Sequence, residues 1–212
     1  MERDVRQLIS HRNASAFEVF LKLLAGRVGQ LINLSDLSGA TGVSSTTLSK
    51  WLSILEASFV VFRLRPYYKN FGKRLVKSSR VYFTEPGFAA YLLGIREHGQ
   101  VASHPLLGGL FENLVVAEAM KARMNKGEDS NLYFFRDNNG LKVDLLVDNG
   151  QNLVPIQIKA ARTFTADFFK AFSLLRRLGV PFRSGFVVYA SELETSFRDD
   201  RIIKYSSLEQ IL

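Results

Sequence analysis

The chain has no cysteine, which excludes disulfides, thiol catalysis and cysteine-based zinc sites. Its three histidines, His11, His98 and His104, are too scattered for a histidine-rich metal centre. No apolar run approaches the ~18 residues that a membrane-spanning helix needs. The opening Met1-Glu2-Arg3-Asp4-Val5-Arg6 lacks the apolar stretch of a secretory signal. A cytoplasmic protein is therefore expected. No G-x-x-x-x-G-K-[ST] loop occurs, so these 212 residues are not expected to hydrolyse ATP. Acidic residues are missing altogether from the stretch between Ala57 and Thr84.

What is present points to a folded chain with an anionic partner. Hydrophobic residues make up 47% and charged residues 23%, a composition that builds a core rather than a disordered chain. Twenty-eight Lys and Arg against twenty Asp and Glu give a formal charge of +8, which makes nucleic acid the first candidate partner.

The first half, residues 1–95, reads as a winged helix-turn-helix. Phe17, Phe20, Leu21, Leu24 and Val28 recur at helical spacing over 14–27. A short helix follows from Leu34, with Ser35 as its expected cap. Thr41-Gly42-Val43-Ser44 makes a turn, and Ser45 to Ala57 makes a second helix striped by Leu48, Trp51, Leu52 and Leu55. Thr46, Thr47 and Lys50 stand near its start, where recognition helices contact DNA. Two β-rich runs, Phe59 to Leu64 and Arg80 to Phe83, flank a basic loop. Arg63, Arg65, Lys69, Lys73, Arg74, Lys77 and Arg80 lie in that span, interleaved with Tyr67, Tyr68 and Phe71. Such a wing would neutralise phosphates without reading bases. A partner-binding role for the same segment stands beside this reading. Glu85 to Gly94 reads as a helix-like linker, and His98 to Pro105 as a polar boundary.

The second half, residues 104–212, reads as α-β-β-β-α-β. Leu107 to Lys126 is helical, Asn131 to Arg136 and Leu141 to Val147 are strands, and Asp148-Asn149-Gly150 turns into a third strand, Leu153 to Lys159. An amphipathic helix spans Phe164 to Leu178, a strand runs from Gly185 to Tyr189, and the tail adds a strand near Ile202 and a final helical turn. Asp144 interrupts an apolar strand, where an unpaired charge is costly. Gln157 and Lys159, two residues apart, project from one face of the next strand. Glu112 could reach them from the first helix, with Glu118 as its rival. Arg136 and Asp137 are either supporting groups or turn residues.

This pattern resembles the PD-(D/E)xK restriction-endonuclease core. The resemblance implies a mixed sheet in an α/β fold, with Glu112, Asp144 and Gln157 as Mg²⁺ ligands. Lys159 would orient or deprotonate the attacking water. Gln157 stands where that family has a carboxylate. The phrases "YYKNFGKRLVKS" at 67–78, "LFENLVVAE" at 110–118 and "LVPIQIKA" at 153–160 are similar to the DUF4143 family, the C-terminal region of bacterial and archaeal AAA-type ATPases. That resemblance implies an ATPase in the same longer chain or an associated one. Three functions remain open on these grounds. The first is a DNA-binding, Mg²⁺-dependent nuclease; the second, a non-catalytic DNA- or protein-binding module that directs an ATPase; the third, a dimerisation domain.

Overall fold

The computed structural model describes residues 13–67, 78–137, 140–161 and 163–212. The backbone divides into two units. The first comprises Met1–Arg63 with Ser78–Asn113, the second Leu64–Lys77 with Leu114–Leu212.

The first unit starts with α1 (Ala14–Ala25), α2 (Leu34–Thr41) and α3 (Ser45–Ala57). The apolar stripes of α1 and α3 are buried as their spacing requires, and the Phe17 ring meets Trp51 edge-on at 5.3 Å between centroids. The α2 cap differs from expectation. Asn33 is the N-cap, and its side chain accepts the Ser35 N–H at 3.0 Å. Gly42, at φ 68°, ends α2 in the left-handed region that the turn to α3 demands. Ser44 then caps α3 by accepting the Thr47 N–H.

Leu31 bridges Arg80 in antiparallel fashion, and β2 (Arg80–Phe83) lies beside β1 (Val61–Pro66). The helix-like linker expected over 85–94 forms α4 (Pro86–Leu92), while the stretch expected to be a plain boundary holds α5 (His98–Ser103). A reciprocal capping box between Glu97 and Gln100 starts α5, a signal that its polar composition concealed. The long helix α6 (Leu107–Asn125) begins in this unit and ends in the second.

The second unit is built on a sheet of mixed direction. Its strands are the end of β1, β3 (Leu132–Arg136), β4 (Lys142–Asp148), β5 (Leu153–Lys159), β6 (Phe186–Tyr189), β7 (Thr195–Phe197) and β8 (Asp200–Lys204). The spatial order is β1-β3-β4-β5-β6-β8-β7. The β3-β4-β5 meander is antiparallel, and β6 joins β5 in parallel. The expected helix over 164–178 forms as a 3₁₀ turn, Ala166–Phe169, followed by α7 (Lys170–Arg177). The tail holds two strands rather than one, then a 3₁₀ segment, Tyr205–Ile211.

Two local features place the candidate site. Pro155 lies in β5, where a proline would break a ladder bonded on both sides. The parallel pairing with β6 begins only at Ile156, so Pro155 sits where the strand is bonded on one side. In β4 the register slips. Tyr133 faces Leu146 while Phe135 faces Val143, so Asp144 and Leu145 together oppose Phe134. This is a β-bulge, a device that re-aims side chains, and it falls on Asp144. Among the described residues no helix is long and apolar enough to cross a membrane.

Candidate functional site

The β4 and β5 ends and α7 enclose a cleft of about 580 Å³ whose lining includes Lys142, Gln157, Lys159, Phe168, Lys170 and Arg177. Gln157 is 4% exposed and Asp144 only 1%. Asp144 sits in the same corner. One carboxylate oxygen, Oδ2, accepts the Ile158 N–H at 3.0 Å, and the Lys159 ammonium stands 4.0 Å from it. The other, Oδ1, faces the Lys142 ammonium at 3.0 Å. The Lys159 Nζ also lies 5.9 Å from the centre of the Phe168 ring.

Lys142 is a participant that sequence reasoning passed over. It is two residues from Asp144 on the same strand and closer to it than Lys159, the lysine that the motif singles out. The signal was present in the string Lys142-Val143-Asp144, an opposite-charge pair at strand spacing. Gln157 takes up a different task from the one expected. Its Nε2 donates to the Lys142 carbonyl at 2.7 Å. Because a carbonyl only accepts, the amide must present its NH₂ there. Asp137 closes the turn before β4, with Oδ1 accepting the Leu141 N–H at 2.8 Å.

The arrangement does not fit a divalent ion. Mg²⁺ wants about six oxygens in near-octahedral array. Here the buried Asp144 carboxylate is already met by two ammonium groups and an amide N–H, and Asp137, which also lines the cleft, gives Oδ1 to the Leu141 N–H. An incoming ion on Asp144 Oδ1, about 2.1 Å from that oxygen, would lie within about 5 Å of the Lys142 ammonium, where each pair of like unit charges costs roughly 3 kcal/mol under near-surface screening. Among the described residues, no group of three or more histidine and carboxylate side chains is arranged to hold a metal.

Glu112 belongs to the first unit, where it has other work. Its Oε1 accepts from Arg80 Nη1 at 2.9 Å and from the Tyr82 hydroxyl at 2.7 Å. Burial, and then the Glu112 carboxylate, push the Tyr82 pKa well above its ordinary value. Arg80, expected among the phosphate-contacting cations, is 2% exposed and committed to this pair. Glu118, the rival acid, is half-exposed and pairs with Lys121 at 3.1 Å.

Of the expected nucleic-acid contacts, Thr46, Lys50 and Arg65 are exposed. Thr47 is partly buried, with its hydroxyl 3.0 Å from Ser44 Oγ, so it helps to build the cap. Arg63 pairs with Glu56 at 2.7 Å. Lys69, Lys73, Arg74 and Lys77 lie outside the described residues.

The chain is 26% identical over its whole length to two mycobacterial proteins, "Uncharacterized protein Rv2008c" of Mycobacterium tuberculosis and "Uncharacterized protein Mb2031c" of Mycobacterium bovis. It covers 48% of each, so it spans about half the length of these curated relatives. Among solved structures, the crystal structure of protein VC1899 from Vibrio cholerae aligns with 94% of this chain and 50% of its own, at 17% identity and a TM-score of 0.34. Residues 1–99, over which the DUF4143 resemblance had also extended, match a different family, DUF8612, a domain of unknown function. Residues 107–210 match the DUF4143 family, itself described as a domain of unknown function, and this supports that family for the second half of the chain.

Proposed function

We propose that the chain is a DNA-binding module, a winged helix followed by a restriction-endonuclease-like core, that binds without cutting and serves an AAA-type ATPase. The observation that carries the reading is helix α3. Its Ser44-capped start presents Ser45, Thr46, Ser49 and Lys50 outward, while Leu48, Trp51, Leu52 and Leu55 are buried behind them. A positioned helix start of small hydroxyls and a lysine suits contact with a DNA groove and its phosphates.

Three further features support it. The order helix, short bridge at Leu31, two helices and two strands is compatible with a winged helix. The formal charge of +8 favours a polyanion. The order α6, β3, β4, β5, α7, β6, with Asp144, Gln157 and Lys159 at one corner, is compatible with the nuclease core. Hydrolysis is left out of the reading because Asp144 is neutralised by the chain's own lysines. The ATPase association rests on the DUF4143 resemblance, and the greater length of the relatives leaves room for such a domain.

Fluorescence anisotropy with labelled duplex DNA across a salt series tests the reading. Binding should weaken linearly in log K against log salt, and no nicking of plasmid should appear with Mg²⁺ or Mn²⁺. Absence of binding at low salt would sink the DNA claim. Nicking that disappears in Asp144→Ala would sink the non-cutting claim.

A further inference from the structure

We infer that the Lys142 ammonium is the resident cation of Asp144, and that Gln157 is matched to it. Together they make a centre closed from within, which works without a divalent ion.

Lys142 and Lys159 stand 3.0 and 4.0 Å from the two oxygens of one carboxylate that is 1% exposed. Two ammonium groups carry together the charge of one divalent ion. The one carboxylate carries a single negative charge, so the two ammonium groups more than neutralise it and leave the corner no call on outside cations.

Two departures from the nuclease pattern, at 142 and at 157, fit each other. A glutamine at 157 looks, by itself, like the loss of a ligand. In the structure its NH₂ donates to the carbonyl of Lys142 at 2.7 Å. A glutamate there would set an anionic oxygen against that carbonyl, an acceptor facing an acceptor, and would have to turn away. Gln157 thus ties down the backbone of the residue whose ammonium meets Asp144. The amide at 157 and the lysine at 142 suit each other, and the lysine repels a cation while the amide adds no charge to hold one.

The inference is independent of DNA binding, and so is its test. The intact chain, ¹⁵N-labelled, is titrated with Mn²⁺ and followed by NMR. The Ile158 amide, which donates to Asp144, reports on an ion at that carboxylate through paramagnetic broadening. The wild-type chain should show no selective, saturable broadening at Ile158 at millimolar Mn²⁺. Its melting temperature should be the same with Mn²⁺ as with a chelator. Lys142→Met combined with Gln157→Glu should gain saturable broadening at Ile158 and a melting temperature that rises with Mn²⁺. Lys142→Met alone, which keeps the glutamine, should gain a weaker response of the same kind. Saturable broadening of Ile158 in the wild-type chain, abolished by Asp144→Asn, would overturn the inference. So would a folded double variant that is indifferent to Mn²⁺. The wild-type titration decides even where a variant does not fold.

Discussion

The Arg80 guanidinium reaches the Glu112 carboxylate at 2.9 Å, and both residues are almost wholly buried in the first unit. Removing one partner would leave the other charge buried and uncompensated. Glu112→Ala should therefore cost about 3–5 kcal/mol of stability. Arg80→Met with Glu112→Leu should recover most of that loss. Urea denaturation of the three proteins checks both statements. A Glu112→Ala chain as stable as wild type would return Glu112 to the list of site residues.

Gly185 is constrained by its surroundings rather than by its backbone angles. A Cβ built on it would stand 2.5 Å from the Phe172 ring, while its N–H donates to Asp200 Oδ1 at 2.7 Å. Asp200 in turn holds Arg176 through two bonds of 2.9 and 2.6 Å. Gly185→Ala should push Phe172 off its rotamer and destabilise the chain by about 1–3 kcal/mol, read from the shift of the urea midpoint.

Alkaline pH should weaken the fold through its buried phenols. Burial, with the Asp148 carboxylate nearby, pushes the Tyr67 pKa up from 10.0 to about 12. The raised value means that the folded chain keeps its proton where the unfolded chain has lost it. The stabilisation is whole below pH 10 and falls away between 10 and about 12. Tyr67→Phe should make the decline in melting temperature over that window shallower than in wild type. Parallel melts from pH 8 to 12 measure the difference; identical slopes would contradict the assignment.

Lys50 is the exposed cation nearest the start of α3. Lys50→Ala should weaken DNA binding about equally across sequences and lower the salt slope by about 1. Thr47→Val should act differently, by lowering stability through the lost hydroxyl contact with Ser44, since its backbone N–H still reaches the cap. Anisotropy and thermal melts on both variants separate a DNA contact from a capping residue.

Much of the scaffold was legible in the residues themselves. Helix α3 and strands β2 and β5 run over the spans that periodicity and turn signals indicate. The short helix α5 was not legible, because it has no buried residue to produce a stripe and rests on a capping box instead. At the candidate site, Asp144, Gln157 and Lys159 do lie in one corner. Their bonding could not be read from spacing. Whether Lys142 turns toward Asp144 depends on the β4 bulge, and whether Arg80 claims Glu112 depends on contacts about thirty residues apart in sequence.

The bulge in β4 has a consequence for how the chain tolerates change. With two residues facing one across the ladder, the direction of the acidic side chain is encoded in a count of peptide units. Exchanging Leu145 for another apolar residue leaves that count unchanged. Deleting Leu145 would leave Val143 opposite Phe135 and Lys142 opposite Arg136, and would set Asp144 squarely opposite Phe134, removing the bulge that aims it. The centre is thus more exposed to a lost codon than to a changed one.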